Sequence, residues 1–319
     1  MPSNNYSPPD ATIMAEAPVS RQIPADCAGM RVDRALARMF PEHSRSRVTA
    51  WLKEGRILLD KRQLSPDQKV WGGELVELGA SSDPREAPPA AEDIGLCVVH
   101  EDESVLVIDK PAGLVVHPGS GNWTGTLLNA LLHHASALQE VPRAGIVHRL
   151  DKDTSGLLVV AKTLEAQTSL VRQLQARTVE RIYLALAHGR VERDGEVEAP
   201  IGRDPHNRVR MAVSGSGKPA LTRYKVVKLY ATTTLLECKL ATGRTHQIRV
   251  HLQSIGHPLV GDPVYRRATR AGPGAGALEF PRQALHATRL AFLHPAGGQR
   301  LEFHSPLPAD MDELLKGLV

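Results

Sequence analysis

His148-Arg149-Leu150-Asp151-Lys152-Asp153-Thr154-Ser155-Gly156-Leu157-Leu158-Val159-Val160-Ala161 contains the sharpest change of character in the chain. A charged run gives way directly to five apolar residues, and Ile146-Val147 precedes it. A polar loop between two apolar, strand-like runs is where a rigid scaffold offers side chains to a ligand. Asp151 stands at the end of the first run between Arg149 and Lys152, whose charges favour its ionised form. The same residues also read as a plain turn, with Asp153-Thr154-Ser155-Gly156 supplying the turn chemistry. Spacing alone favours the turn.

On the N-terminal side, Val105–Ile108 reads as a buried strand, Lys110-Pro111-Ala112-Gly113 as its turn, and Leu114–His117 as a second strand. Thr126 is placed to cap a helix bearing Leu127, Leu128, Ala130, Leu131 and Leu132. On the C-terminal side, Glu165–Gln175 reads as a helix, and Arg181–Leu186, Leu221–Tyr230 and Thr233–Leu240 as strands. Strands often follow one another directly, so the expected class is α+β, with a mixed, largely antiparallel sheet flanked by helices. A second polar stretch is Gly243-Arg244-Thr245-His246-Gln247-Ile248-Arg249-Val250-His251-Leu252. With Thr245 as cap, a helix over His246–Ser254 puts His246 and Arg249 on one face and turns Ile248, Leu252 and Ile255 to the core. Arg244 and Arg249 suit a phosphate or a carboxylate. His246 and His251 are five apart, the wrong spacing for a helical pair of zinc ligands, and read as hydrogen-bonded structural groups.

The 319 residues carry a net charge of +4, which is weak evidence of an anionic partner. Its distribution says more. Arg31–Arg62 nets +5, Ser81–Asp109 nets −7 and Ile201–Lys228 nets +6. Two basic blocks in one chain point to a nucleic-acid surface, although a single block reads as a solvated face just as well. The first block lies in a compact unit of two helices and a few strands. Val32, Leu36, Met39 and Phe40 form one stripe, Pro41 stops that helix, Ser44 caps the next, and Gly55 ends it. The expected layout is a disordered tail over 1–24, a small module over 25–80, a Pro- and acid-rich linker over 81–93 and a large domain over 94–319. No apolar run approaches the roughly 18 residues of a membrane span. The first residues lack the pattern of a secretory signal. Cys27, Cys97 and Cys238 form neither a metal-ligand spacing nor a disulfide framework, so a reducing, cytoplasmic setting is expected.

HRLDKDTSGLLVVAKT, RIYLALAHG, GKPALTRYKV and GRTHQIRVHLQSIGHPLVGDPVY, in this order, resemble the signature blocks of the RNA pseudouridine synthases. VVHPGSGNWTGTLLNALLHH and VPRAGIVHRLDKDTSG resemble most the bacterial subgroup that modifies large-subunit ribosomal RNA. Arg31–Leu78 resembles an S4-type α/β RNA-binding module, and the resemblance as a whole spans about residues 25–310. It implies Asp151 as the catalytic aspartate and Arg149 as the arginine that fills the gap left by a flipped base. It implies Tyr183 as the aromatic that stacks on that base and accepts its C5 proton, and Arg249 as the cation paired with the aspartate. Arg244 and His246 join Arg149 among the expected RNA contacts, and Arg45, Arg47, Lys53 and Arg56 form the expected basic face of the module. The implied partner is RNA, large-subunit rRNA before tRNA, with no membrane and a monomeric enzyme. The Gly- and Ala-rich Ala268–Phe280 departs from the pattern. The reaction leaves mass and redox state unchanged, so no cofactor or metal is expected, and the chain has no dinucleotide glycine fingerprint.

Two other readings remain. Asp151 and Asp153 suit a metal-dependent phosphoryl-transfer enzyme or nuclease. A non-catalytic RNA-binding or ribosome-assembly factor would use the same surface as a platform.

Overall fold

The computed structural model describes residues 19–40, 45–79, 89–119, 121–207, 210–265 and 278–318. The chain divides into two units, residues 1–88 and 89–319.

In the first unit, β1 (Val19–Gln22), β2 (Ile57–Leu59) and β3 (Leu75–Leu78) form an antiparallel sheet in the order β1-β3-β2. Helices α1 (Val32–Met39) and α2 (Arg45–Lys53) pack Val32, Leu36, Val48, Trp51 and Leu52 into its core with Ile57 and Val76. Burial of such side chains is worth about 1.5–3 kcal/mol each before the entropy of ordering them. After β2 the chain turns on Asp60 and Lys61, both with positive φ, as a two-residue reversal requires. Part of the expected tail is ordered. Val19–Gln22 pairs with β3, and Ile23 is buried behind it. The sequence there shows no period because backbone pairing, not a buried face, builds this strand. Pro41 and Ser44 lie outside the described residues, as does most of Ala268–Phe280.

The second unit contains β4 (Val98–Glu101), β5 (Val105–Lys110), β6 (Ser155–Ala161), β7 (Glu180–His188), β8 (Gly195–Glu198), β9 (Ile201–Arg203), β10 (Met211–Val213), β11 (Leu221–Leu229), β12 (Thr233–Leu240), β13 (Leu285–Leu293) and β14 (Arg300–His304). Its helices are α3 (Leu127–His134), α4 (Leu164–Gln175), α5 (Gln247–Ser254) and α6 (Ala309–Lys316). The main sheet runs β4-β5-β6-β13-β7-β12-β11-β8, with β14 beside β13, while β9 and β10 form a separate hairpin. Among the strand pairings of the main sheet in the described residues, only β6–β13 is parallel. β6 is buried along its whole length. Leu158 and Val160 pack with Leu127, Leu131, Ile248 and Leu252, whereas Leu157 and Val159 pack with Ala166 and Leu170. Cover on both faces explains an unbroken apolar run in place of an alternating one.

Three local expectations change. Leu114–His117 is not a strand; Val115 makes one isolated bridge, to Thr126, at the start of α3. Residues 89–93 belong to the second unit, because buried Asn129 donates to the Ala90 carbonyl (2.7 Å) and the Gly125 amide reaches the Glu92 carboxylate (3.1 Å). Helix α5 begins at Gln247, not His246, and Thr245 is not its cap. His246 is left-handed (φ 57°), and the Gln247 side chain accepts from the Arg244 amide and the Thr242 hydroxyl instead. Ile255, beyond the last turn, is 38% exposed, not core.

Candidate active site

The loop bearing Asp151 is fixed from several directions. Lys110, at the end of β5, is buried and donates to the carbonyls of Pro111 (2.6 Å), Leu114 (3.0 Å) and Lys152 (2.9 Å). Burial pushes its ammonium down to about 7, against the pull of Asp153 and Asp151. Arg282 donates to the Asp153 carbonyl (3.1 Å) and is itself held by Asp310 of α6 (2.7 and 2.8 Å). Just beyond the loop, Gly156 has φ +112°, and a Cβ there would lie 2.3 Å from the Ala287 carbonyl oxygen. The close β6–β13 approach therefore requires glycine.

Asp151 meets α5. Arg249 Nη1 donates to its Oδ2 at 3.0 Å, and His246 Nε2 lies 4.0 Å from its Oδ1. The rest of the Arg249 guanidinium is taken by Asp262, through Nε (2.7 Å) and Nη2 (2.9 Å). Asp262 is fully buried and also accepts from the Val264 and Tyr265 amides. Burial opposes both charges; the pairing outweighs it, holding Asp262 below the usual carboxylate range and Arg249 above the usual arginine value. The Tyr265 hydroxyl accepts from the Met211 amide (2.9 Å) and lies 2.8 Å from His246 Nδ1. Burial pushes the His246 imidazole down, against the pull of Asp151.

Tyr183, on β7, is buried, and burial, with Asp151 adding and Arg181 opposing, pushes its phenol up to about 12. Asp151, Tyr183 and Arg249 line one cleft of about 630 Å³, within the range of small-molecule sites. Arg149, Arg244 and His246 line it too, so all six residues expected in the catalytic domain come together. Arg149 is exposed, and Arg244 is anchored through Nε to the Pro219 carbonyl (3.1 Å). In the first unit, Arg45 pairs with buried Asp33 (2.8 Å), while the guanidiniums of Arg47 and Arg56 lie over the Trp51 ring, 5.8 and 5.1 Å from its centre; Lys53 is exposed.

The sequence reading did not single out Asp262, Tyr265, Lys110 or Arg181. Asp262 and Tyr265 sit inside a quoted block, GDPVY, without a role. Arg181 left one signal, a lone cation in the expected strand Arg181–Leu186, whereas Lys110 read as part of a turn. Against the metal reading, the Asp151 carboxylate faces a guanidinium and an imidazole, not the oxygen ligands a hard cation takes.

Residues 104–254 match the RNA pseudouridylate synthase family, and residues 30–76 match the S4 domain. The chain is 54% identical, over 98% of its length and 93% of the relative's, to "Ribosomal large subunit pseudouridine synthase D" of Nitrosomonas europaea. It is 50% identical to the Escherichia coli K12 protein of that name, over 90% of each chain. Among solved structures, Human RNA Pseudouridylate Synthase Domain Containing 1 is similar at a TM-score of 0.52 and 30% identity, covering 68% of this chain and 86% of its own. With an identity this high sustained over almost the whole length, the chain belongs to the RNA pseudouridine synthase family.

Proposed function

We propose that this enzyme converts specific uridines of large-subunit ribosomal RNA to pseudouridine, with Asp151 as the reactive carboxylate. One observation carries the reading: Asp151 is held 3.0 Å from a guanidinium that Asp262 locks in place, inside a cleft shared with Tyr183. In the reaction the bond from C1′ to N1 breaks and a bond from C1′ to C5 forms. The C5 proton leaves, and N1 ends protonated. Cleavage builds positive character on the sugar, which an ionised carboxylate stabilises or captures. Arg249 faces that carboxylate and orients it through the hydrogen bond from Nη1. Tyr183, its phenol held neutral, offers the uracil an aromatic face. The target base must leave its stack to reach the cleft. Exposed Arg149 is suited to fill the vacated space with its planar guanidinium.

The relatives' names support ribosomal RNA over tRNA. The basic S4 module supports backbone contacts, which position an RNA without reading its sequence. All these groups come from one chain, so the reading requires no second copy, and it places the enzyme with the ribosomal RNA in the cytoplasm. The test is pseudouridine mapping across total RNA from a deletion strain, complemented with wild type or Asp151→Asn. Loss of particular large-subunit sites, restored by wild type alone, is expected. Loss confined to tRNA would overturn the substrate assignment.

A further inference from the structure

The cleft is strongly unbalanced in charge. Arg143, Arg149, Arg177, Arg181, Arg244 and Arg249 line it, and Asp151 is the one carboxylate among the described residues that does. Most of these arginines are wholly or partly open to solvent, and Arg249 has two carboxylates. Arg181 is different. It is 7% exposed, yet its guanidinium has no hydrogen-bond or ion-pair partner among the described residues, and its Nε is fully shielded. Burial lowers its pKa, with only the Tyr183 phenol opposing. A buried charge without a partner is costly and persists where something else requires it.

The space around Arg181 is shaped for its head group. A Cβ on Gly243 would lie 2.7 Å from Arg181 Nη1, so the glycine leaves room for the guanidinium. His148 lines the same cleft. Its Nε2 accepts from the Val159 amide (3.2 Å), which places the ring proton on Nδ1, and that Nδ1 is also shielded and without a partner. Burial, then the charge of Arg181, pushes the His148 imidazole down to about 3, so it is a neutral donor. Two unpaired donors, one of them cationic, thus share one cleft, and native proteins rarely leave such groups unsatisfied. Arg181 lies two residues before Tyr183 on β7, on the same face of the strand.

We infer that the Arg181 guanidinium, in the cleft it shares with His148, forms an anion subsite that receives a backbone phosphodiester of the substrate RNA beside the target uridine. Phosphodiesters are the standing anions of RNA, and a guanidinium matches their oxygens with two parallel donors. The inference rests on the reaction proposed above. It adds the claim that the unpaired cation is satisfied by substrate, and that binding positions the sugar over Asp151.

The experiment measures single-turnover pseudouridine formation on a stem-loop RNA that the wild-type enzyme modifies. Neutral methylphosphonate linkages are placed one at a time around the target, each against a matched charged control. Arg181→Met should slow modification of the native RNA by about 10–100-fold, the worth of a charge-assisted contact. At one linkage, methylphosphonate should slow wild type to a similar extent and slow Arg181→Met no further. Arg181→Lys should recover part of the rate on native RNA. Because Arg181→Met removes an unpaired buried charge, it should also melt at a higher temperature than wild type. The inference is overturned if the losses multiply at every linkage, or if Arg181→Met melts lower or fails to fold, since Arg181 would then be structural. Pseudouridine formation by wild type tests the reaction independently.

Discussion

Asp262 grips Arg249 along one edge of its guanidinium, at 2.7 and 2.9 Å, and leaves Nη1 pointing at Asp151. This fixes where the cation sits relative to the reactive carboxylate. Asp262→Asn keeps the shape and removes the charge. Breaking a buried pair from one side costs about 3–5 kcal/mol, and we expect the lower end because Asp151 still faces Arg249. Urea unfolding measures that loss, and single-turnover kinetics should show a fall in rate at saturating RNA larger than any change in KM. An unchanged rate would mean that Arg249 needs no positioning.

Arg249→Lys retains a positive charge but loses the two-point contact. The rate should fall about 10-fold or more, as expected of a misplaced charge, and Asp262 should then bind only through one ammonium. A rate within twofold of wild type would show that charge alone suffices.

How much of this was legible in the sequence follows from what each residue answers to. Asp151, Thr126, Val159 and Leu252 answer to neighbours in the chain, so loop position, capping and apolar pattern reveal them. The pairing of Arg249 with Asp262 spans a turn after α5, and nothing in the sequence ranks Asp262 above other acids. Arg181 stands in an apolar strand run and Lys110 in an expected turn, neither of which marks a buried cation; the structure buries both. The left-handed His246 was hidden for another reason: Thr245 has the right chemistry for a cap, but the helix starts one residue later, and the Gln247 side chain instead ties its start to the Arg244 amide and the Thr242 hydroxyl. Val19–Gln22 joins a sheet through its backbone, which leaves no mark on residue choice.

Gly156→Ala should destabilise the protein by at least about 2 kcal/mol, combining a left-handed backbone with a clash against Ala287. Since Gly156 lies in β6 just beyond the loop that bears Asp151, activity should fall at temperatures well below melting. Thermal melts and assays at 20 °C and 37 °C separate the two effects.

His148 gives a pH dependence of known sign. Burial depresses its folded pKa to about 3 from the usual 6.5 of a histidine, so unfolding takes up a proton between those limits. Stability is therefore lost as pH falls through that window, by about 2 kcal/mol between pH 7.5 and 5 from this group. Urea melts at the two pH values should show a smaller acid loss for His148→Gln, whose amide oxygen can still accept from the Val159 amide. Equal losses would mean that His148 is not buried neutral.

In the S4 unit, Arg47→Glu with Lys53→Glu should weaken RNA binding and flatten its salt dependence by roughly one unit of slope, or more if both touch phosphate. Arg45→Gln should instead lower stability, because it strips a partner from buried Asp33. Filter binding over a salt series, with melting curves, distinguishes the two. An unchanged slope would remove this face from the RNA path.

The central claim is that Asp151 performs the chemistry and is not merely part of the RNA platform. Its most direct test compares wild type and Asp151→Asn on the same large-subunit RNA fragment, measuring binding and pseudouridine formation side by side. We predict binding within about twofold, because one carboxylate adds little to a phosphate-driven affinity, and no detectable pseudouridine. Pseudouridine formed by Asp151→Asn at the wild-type rate would contradict the account.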